Sequence, residues 1–167
     1  MKNTTKKLTM LALLTALEII LSRFLSISAW NIKIGFSFVP VVIAGILYGP
    51  LEAGAVGALG DLLGALLFPI GPYFPGFTLT AFLSGLVFGF FLHKEISVRN
   101  TLIAVLIHQF VLGLLLNTFW ISVLYESPFL PLLATRSIQS VILAVVEFLV
   151  IQAMKRFPKG FLKQVSA

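Results

Sequence analysis

The feature that most constrains the fold is a series of six apolar segments separated by short breaks. Crossing the apolar part of a bilayer takes about 20 residues of helix, and a chain of 167 residues has room for six such spans in one domain. The sequence therefore predicts an all-α, polytopic membrane protein with a six-transmembrane-helix bundle over residues 1–167. The predicted helices are residues 8–28, 34–48, 51–68, 77–92, 101–125 and 132–154.

Composition and charge placement support this class and suggest an orientation. Charged residues make up 11% of the chain, against about 25% in soluble domains. The first nine residues resemble the start of a signal peptide, but no cleavage site follows, so a retained cytosolic tail is expected. Basic side chains accumulate on the cytosolic side of membrane proteins. Both termini are therefore predicted in the cytosol, because that orientation places nine of the twelve basic residues there: Lys2, Lys6, Lys7, Lys94, Arg99, Lys155, Arg156, Lys159 and Lys163.

The remaining basic residues are Arg23, Lys33 and Arg136, all in the outer half of the predicted bundle. A guanidinium group in an apolar zone is costly unless it is paired or faces an aqueous cavity. Arg23 and Arg136 are therefore candidate pocket residues for an anionic solute, whereas Lys33 is explained by snorkelling. The alternatives are an ion pair of Arg23 with Asp61 or Glu18, and a place for Arg136 at the outer membrane interface.

Helical spacing adds polar and aromatic candidates. Asn117 and Trp120 fall on one stripe of the fifth segment, where an amide and an indole suit a flat heteroaromatic ligand. His108 lies about half a turn away on an α-helix and is interpreted as a satisfied or interfacial histidine. On the sixth segment Gln139 adjoins a stripe that begins at Arg136, and Glu147 further along is expected to have a structural partner.

The connection over residues 68–77 combines prolines, glycines and aromatic residues, a composition suited to covering a site. The alternative is a re-entrant loop that only packs on the bundle. Gly60 and Gly64, like Gly85 and Gly89, have the spacing that lets helices approach closely.

The sequence lacks the motifs of several function classes. There is no phosphate-binding G-x-x-x-x-G-K-[ST] loop, no H-E-x-x-H zinc motif and no cysteine. No catalytic residues, metal site or cofactor are predicted, and no basic surface suggests nucleic acid. The chain is expected to be a non-enzymatic binding subunit that needs a partner to supply energy.

Long stretches of the chain resemble the S components of energy-coupling factor (ECF) vitamin transporters, most closely their folate-specific branch. The resemblance rests on LSRFLSI (21–27), on KIGFSFVPVVIAGILYGPLEAGAVGALGDLLGALLFP (33–69), on YFPGFTLTAFLSG (73–85) and on LLLNTFW (114–120). It implies a prokaryotic cell-membrane subunit that captures folate outside. It also implies release inside after partners hydrolyse ATP and topple the subunit.

The same resemblance implies roles for particular residues and partners. Trp120 or Tyr73 would stack on the pterin, Asn117 or Thr80 would bind its edges, and Arg23 or Arg136 would meet the glutamate carboxylates. The remaining ligand-site predictions are a lid around Phe74 and Gly76 and a pocket wall at Gln139. An ECF transmembrane coupling subunit would dock on Ala12 and Ala16, and two cytosolic ATPases would complete the transporter. The alternatives are an S component for another vitamin or heterocycle, and a stand-alone proton-coupled carrier.

Overall fold

The computed structural model describes residues 2–29 and 32–155 and contains six helices in those ranges. The predicted all-α membrane fold with six helices is confirmed. Arg156, Lys159 and Lys163, three of the basic residues on which the predicted orientation depends, lie outside the described residues. The helices are α1 (Lys2–Arg23), α2 (Phe38–Tyr48), α3 (Pro50–Leu67), α4 (Pro75–Leu92), α5 (Val98–Tyr125) and α6 (Phe129–Met154).

A short β-hairpin between α1 and α2 was not predicted. Strands β1 (Ile27–Ala29) and β2 (Ile32–Ile34) pair antiparallel, with Ile27 opposite Ile34. The predictions that the first helix reaches residue 28 and that the second begins at 34 are therefore wrong. Short apolar runs do not distinguish helix from strand by hydropathy, and the β-branched isoleucines here favour the strand.

Not every helix is long enough to span a bilayer alone. By length and composition α3, α4, α5 and α6 qualify. Helix α2 has 11 residues, a length of about 16 Å at the usual helical rise. It leads directly into α3 through Gly49, whose φ of 106° favours glycine, followed by Pro50 in the first turn of α3. The predicted break at Gly49 and Pro50 is confirmed.

Glycines on α4 allow close contact between backbones. A Cβ atom at Gly85 would overlap the backbone of Ala53, and one at Gly89 would overlap the backbone of Pro50. This confirms the helix-packing role predicted for that pair. Helices α3 and α4 make the most extensive contact between any two elements described.

The two ends of the bundle differ in their packing. The loop end carries the hairpin, residues 68–74 and the turn between α5 and α6. The terminal end, where α1 begins and α6 ends, contains most of the apolar core, including Val42, Ala53, Phe88, Leu92 and Ile151. The packed core therefore lies on one side of the molecule and leaves space between the helices on the other.

Candidate ligand-binding cavity

A cavity of about 670 Å³ opens between the helices and residues 70–74. Its volume is in the range of small-molecule binding sites. All six helices contribute to its wall. The cavity brings together seven of the nine residues predicted for a ligand: Arg23, Tyr73, Phe74, Thr80, Asn117, Arg136 and Gln139.

Trp120 and Gly76 lie behind this wall. The indole of Trp120 packs on Phe74, with ring centroids 5.6 Å apart, and its Nε1 donates a hydrogen bond of 3.1 Å to Thr80 Oγ1. A Cβ atom at Gly76 would lie 2.5 Å from the Trp120 ring. Gly76 thus makes room for the indole, and Trp120 supports Phe74 and Thr80 from outside the cavity.

The hydroxyl of Thr80 already has two partners. Besides accepting from Trp120, it donates to the carbonyl oxygen of Gly76 over 3.0 Å. The bond from Trp120 joins the beginning of α4 to α5, whereas the bond to Gly76 lies within α4.

Arg23 is held at the cavity by α3. Its Nη2 lies 3.2 Å from the carbonyl oxygen of Asp61 and 3.5 Å from Asp61 Oδ1, and its side chain is 11% exposed. Asp61 Oδ2 in turn accepts a hydrogen bond of 2.8 Å from Thr78. The predicted alternative of a pair with Asp61 is observed, and the same side chain also lines the cavity, so the two interpretations are compatible.

Glycines of α3 create the space for charged side chains from α1. A Cβ atom at Gly64 would lie 2.7 Å from Arg23 Nε, and one at Gly60 would overlap the carboxylate of Glu18. Their predicted role in close helix packing is thus only part of their function here, since they allow two ionisable side chains to lie between α1 and α3.

Arg136 is 9% exposed and faces the cavity from α6. Its Nη2 donates a hydrogen bond of 3.1 Å to the carbonyl oxygen of Gly113 on α5. The structure therefore places this guanidinium inside the bundle, at the wall of the cavity. On the same wall, Oδ1 of Asn117 is buried without a hydrogen-bond partner among the described residues. That atom is available to a ligand donor.

The middle of α5, residues Ile107–Leu116, is a π-helix, a geometry that the hydropathy pattern does not predict. Its wider turns rotate the chain less per residue than an α-helix does. His108 therefore lines the cavity together with Asn117, instead of lying half a turn away. Gln109 also lines the cavity and is 7% exposed.

Glu147 is completely buried behind these two side chains. His108 Nδ1 lies 2.9 Å from its Oε1 and 3.0 Å from its Oε2, and Gln109 Nε2 donates to Oε2 over 2.7 Å. The structural partner predicted for Glu147 is thus present, and Glu147 is in turn a partner for Nδ1 of His108. The only signal in the sequence was a histidine–glutamine pair on an apolar segment.

A family model described as "ECF transporter, substrate-specific component" matches residues 6–165. The chain belongs to this family. The S-component resemblance stated from the sequence motifs is confirmed, and with it the assignment to multi-pass membrane transport proteins.

Relatives and solved structures agree with the family. The chain is 43% identical to "Folate transporter FolT" of Clostridium novyi (strain NT) over 84% of its own length and 83% of the relative's. It is 30% identical to "Folate transporter FolT" of Leuconostoc mesenteroides over 83% of this chain and 78% of the other.

Two solved structures share the fold. The crystal structure of FolT bound with folic acid matches with a TM-score of 0.86 and 31% identity, covering 90% of this chain and 92% of the other. The S component of a bacterial ECF transporter matches with a TM-score of 0.71 and 24% identity over 96% and 99% of the two chains. The second match shows the fold alone.

In this S component the two alanines predicted for docking are exposed. Ala12 and Ala16 lie on the surface of α1, beside the exposed Leu13 and Leu17. The sequence raised a conflict, because Arg23 follows Ala16 by seven residues and an α-helix places both on nearly one side. Arg23 is the last residue of α1, and its side chain reaches across to Asp61, so Arg23 lines the cavity while Ala16 is exposed.

Proposed function

We propose that this S component is a high-affinity folate-binding subunit of an ECF-type importer. The observation that carries the proposal is one cavity lined by Arg23, Arg136 and aromatic residues of the 70–74 loop, in a chain whose fold matches FolT bound with folic acid. Two relatives are named as folate transporters. Folate carries a flat heterocycle at one end and carboxylates at the other, and the cavity offers surfaces for both.

The proposed roles follow from the placement of each side chain. The guanidinium groups of Arg23 and Arg136 bind the ligand carboxylates. Tyr73 and Phe74 cover the ligand, and Trp120, with Gly76 making room for it, holds Phe74 in place. Polar edges of the ligand meet these side chains of the wall: Asn117, Thr80 and Gln139.

The proposal includes the cellular setting. The subunit lies in the cell membrane of a prokaryote with both termini in the cytosol, so that the cavity opens outward. It is not an enzyme and carries no cofactor. An ECF transmembrane coupling subunit docks on the exposed Ala12 and Ala16, and two cytosolic ATPase subunits drive release of folate inside.

The test is a titration of the detergent-purified chain with folate, followed by tryptophan fluorescence. A Trp30→Phe background leaves Trp120 as the reporter, because the chain has two tryptophans. We expect saturable quenching by folate and none by riboflavin or thiamine.

Arg136→Ala should weaken folate binding at least roughly tenfold, since a charge-assisted hydrogen bond contributes about 1.5–3 kcal/mol. Arg99→Ala, an exposed arginine outside the cavity, is the matched control.

Three results would contradict the proposal. A folded chain that does not bind folate would exclude the substrate, and tight binding of riboflavin or thiamine instead would indicate an S component for another vitamin. Folate uptake by the chain reconstituted alone, driven by a proton gradient, would indicate a self-sufficient carrier.

A further inference from the structure

The cluster of His108, Gln109 and Glu147 has a chemistry that the two arginines do not share. Glu147 is completely buried, and its Oε2 lies 3.0 Å from His108 Nδ1 and accepts a hydrogen bond from Gln109 Nε2. A carboxylate only accepts hydrogen bonds, so its contact with Nδ1 places the proton of the imidazole on that nitrogen. In the neutral imidazole the opposite nitrogen, Nε2 of His108, is then an acceptor.

Gln109 is oriented in the same way. Its Nε2 donates to Glu147 over 2.7 Å, which leaves its Oε1 as an acceptor. Neither this oxygen nor His108 Nε2 makes a hydrogen bond within residues 2–29 and 32–155. Both side chains line the cavity, so one buried carboxylate fixes two neighbouring acceptors in its wall.

The cluster lies deeper in the bundle than the guanidinium group of Arg136. Glu147 is eleven residues beyond Arg136 on α6, about 16 Å further from the loop end at the usual helical rise. The ring of His108 packs on the fully buried Phe88, with centroids 4.8 Å apart. The buried carboxylate of Glu147 at this depth therefore disfavours an anionic group and favours hydrogen-bond donors.

We propose that His108 and Gln109 bind the donor edge of the heterocycle, and that Glu147 is the positioning residue that makes both of them acceptors. The inference rests on the proposed function and names a subsite within it. The matching chemical group is a pair of adjacent N–H donors, such as a ring N–H beside an exocyclic amino group. The pterin of folate carries this pair at N3 and the 2-amino group.

The experiment compares three ligands and three variants by titration of the whole purified chain. Folate and pteroate contain the pterin, whereas p-aminobenzoylglutamate lacks it. We expect His108→Phe and Glu147→Gln to weaken folate and pteroate binding roughly tenfold to 100-fold, because a buried donor of the ligand loses its partner. Binding of p-aminobenzoylglutamate should stay within about threefold. His108→Gln retains an acceptor and should restore most of the folate affinity.

A purely structural role of the cluster would weaken all three ligands alike, and this outcome overturns the inference. A second measurement needs no variant: the wild-type chain should bind 2-deaminofolate at least roughly tenfold more weakly than folate, and equal binding overturns the inference. Failure of the wild-type chain to bind folate would instead count against the proposed function, so the two failures are distinguishable.

Discussion

At the scale of single residues, the absence of a side chain decides where charge can be placed. Gly60 and Gly64 lie where a Cβ atom would meet Glu18 and Arg23. Burying ionisable groups in an apolar bundle requires space and specific partners. The two glycines supply the space, and Asp61 is a partner for Arg23.

The first prediction concerns Gly60→Ala. The added methyl group would overlap the carboxylate of Glu18, so α1 must shift or the carboxylate must leave its site. We expect a loss of about 1–3 kcal/mol in stability, measured as a lower thermal midpoint of the detergent-purified chain. Gly71→Ala is the control, because a Cβ atom there would meet only Tyr125 Oη at an ordinary 3.5 Å. Equal midpoints for the two variants would contradict the steric explanation.

At the scale of elements, the π-helical part of α5 decides which side chains share the cavity. His108 and Asn117 are nine residues apart, which on an α-helix places them on opposite sides. In the structure both line the cavity, because residues Ile107–Leu116 are wound more widely. The site thus depends on helix geometry as well as on residue type.

The second prediction is that deleting Val111 abolishes tight folate binding. One residue fewer turns the two parts of α5 relative to each other by about 100°, so His108 and Asn117 no longer face the same space. Helical content by circular dichroism should be almost unchanged. Val111→Ala is the control, since this half-exposed side chain lies outside the cavity. Wild-type affinity in the deletion variant would show that the π-helix does not position the site.

At the scale of the whole molecule, the bundle has two different ends and one exposed strip on α1. The apolar core occupies the terminal end, and the cavity extends toward the loop end. Ala12 and Ala16 are exposed on α1, away from the cavity wall. Ligand binding and docking should therefore respond to different substitutions.

The third prediction separates these two activities. Ala16→Arg should abolish folate uptake by cells that express the full transporter, because a bulky charge prevents close helix contact. Folate binding by the purified variant should stay within about threefold of wild type. A substitution at a surface site far from the cavity is expected to change the binding free energy by less than about 1 kcal/mol. Ala134→Arg makes the same change at an exposed position of α6 and should retain uptake. Normal transport by Ala16→Arg would remove this strip from the docking site.

The fourth prediction tests the orientation. The chain has no cysteine, so single cysteines report their own accessibility. We expect Ile70→Cys, at the loop end, to react with a membrane-impermeant maleimide in intact cells, whereas exposed Lys94→Cys, at the terminal end, should react only after lysis. The reverse pattern would place the termini outside and contradict the proposed import of folate from the cell exterior.

The sequence by itself determined the membrane class and the six helices, and it singled out Arg23 and Arg136 as candidate cavity residues. These properties follow from local hydropathy and from the cost of placing a guanidinium in an apolar region. The motif resemblance identified the family. It also named residues of the 70–74 loop that the structure places at the cavity.

Only the tertiary structure decided which side chains meet. His108 and Glu147 are 39 residues apart in the chain, and no local pattern indicates their contact. Trp120 shares a predicted stripe with Asn117, but its indole packs behind Phe74, a contact with a distant loop that the stripe does not indicate. The hairpin and the space beside Gly60 likewise depend on neighbouring elements. Hydropathy determines where a segment lies, whereas contacts between distant segments determine which atoms face the ligand.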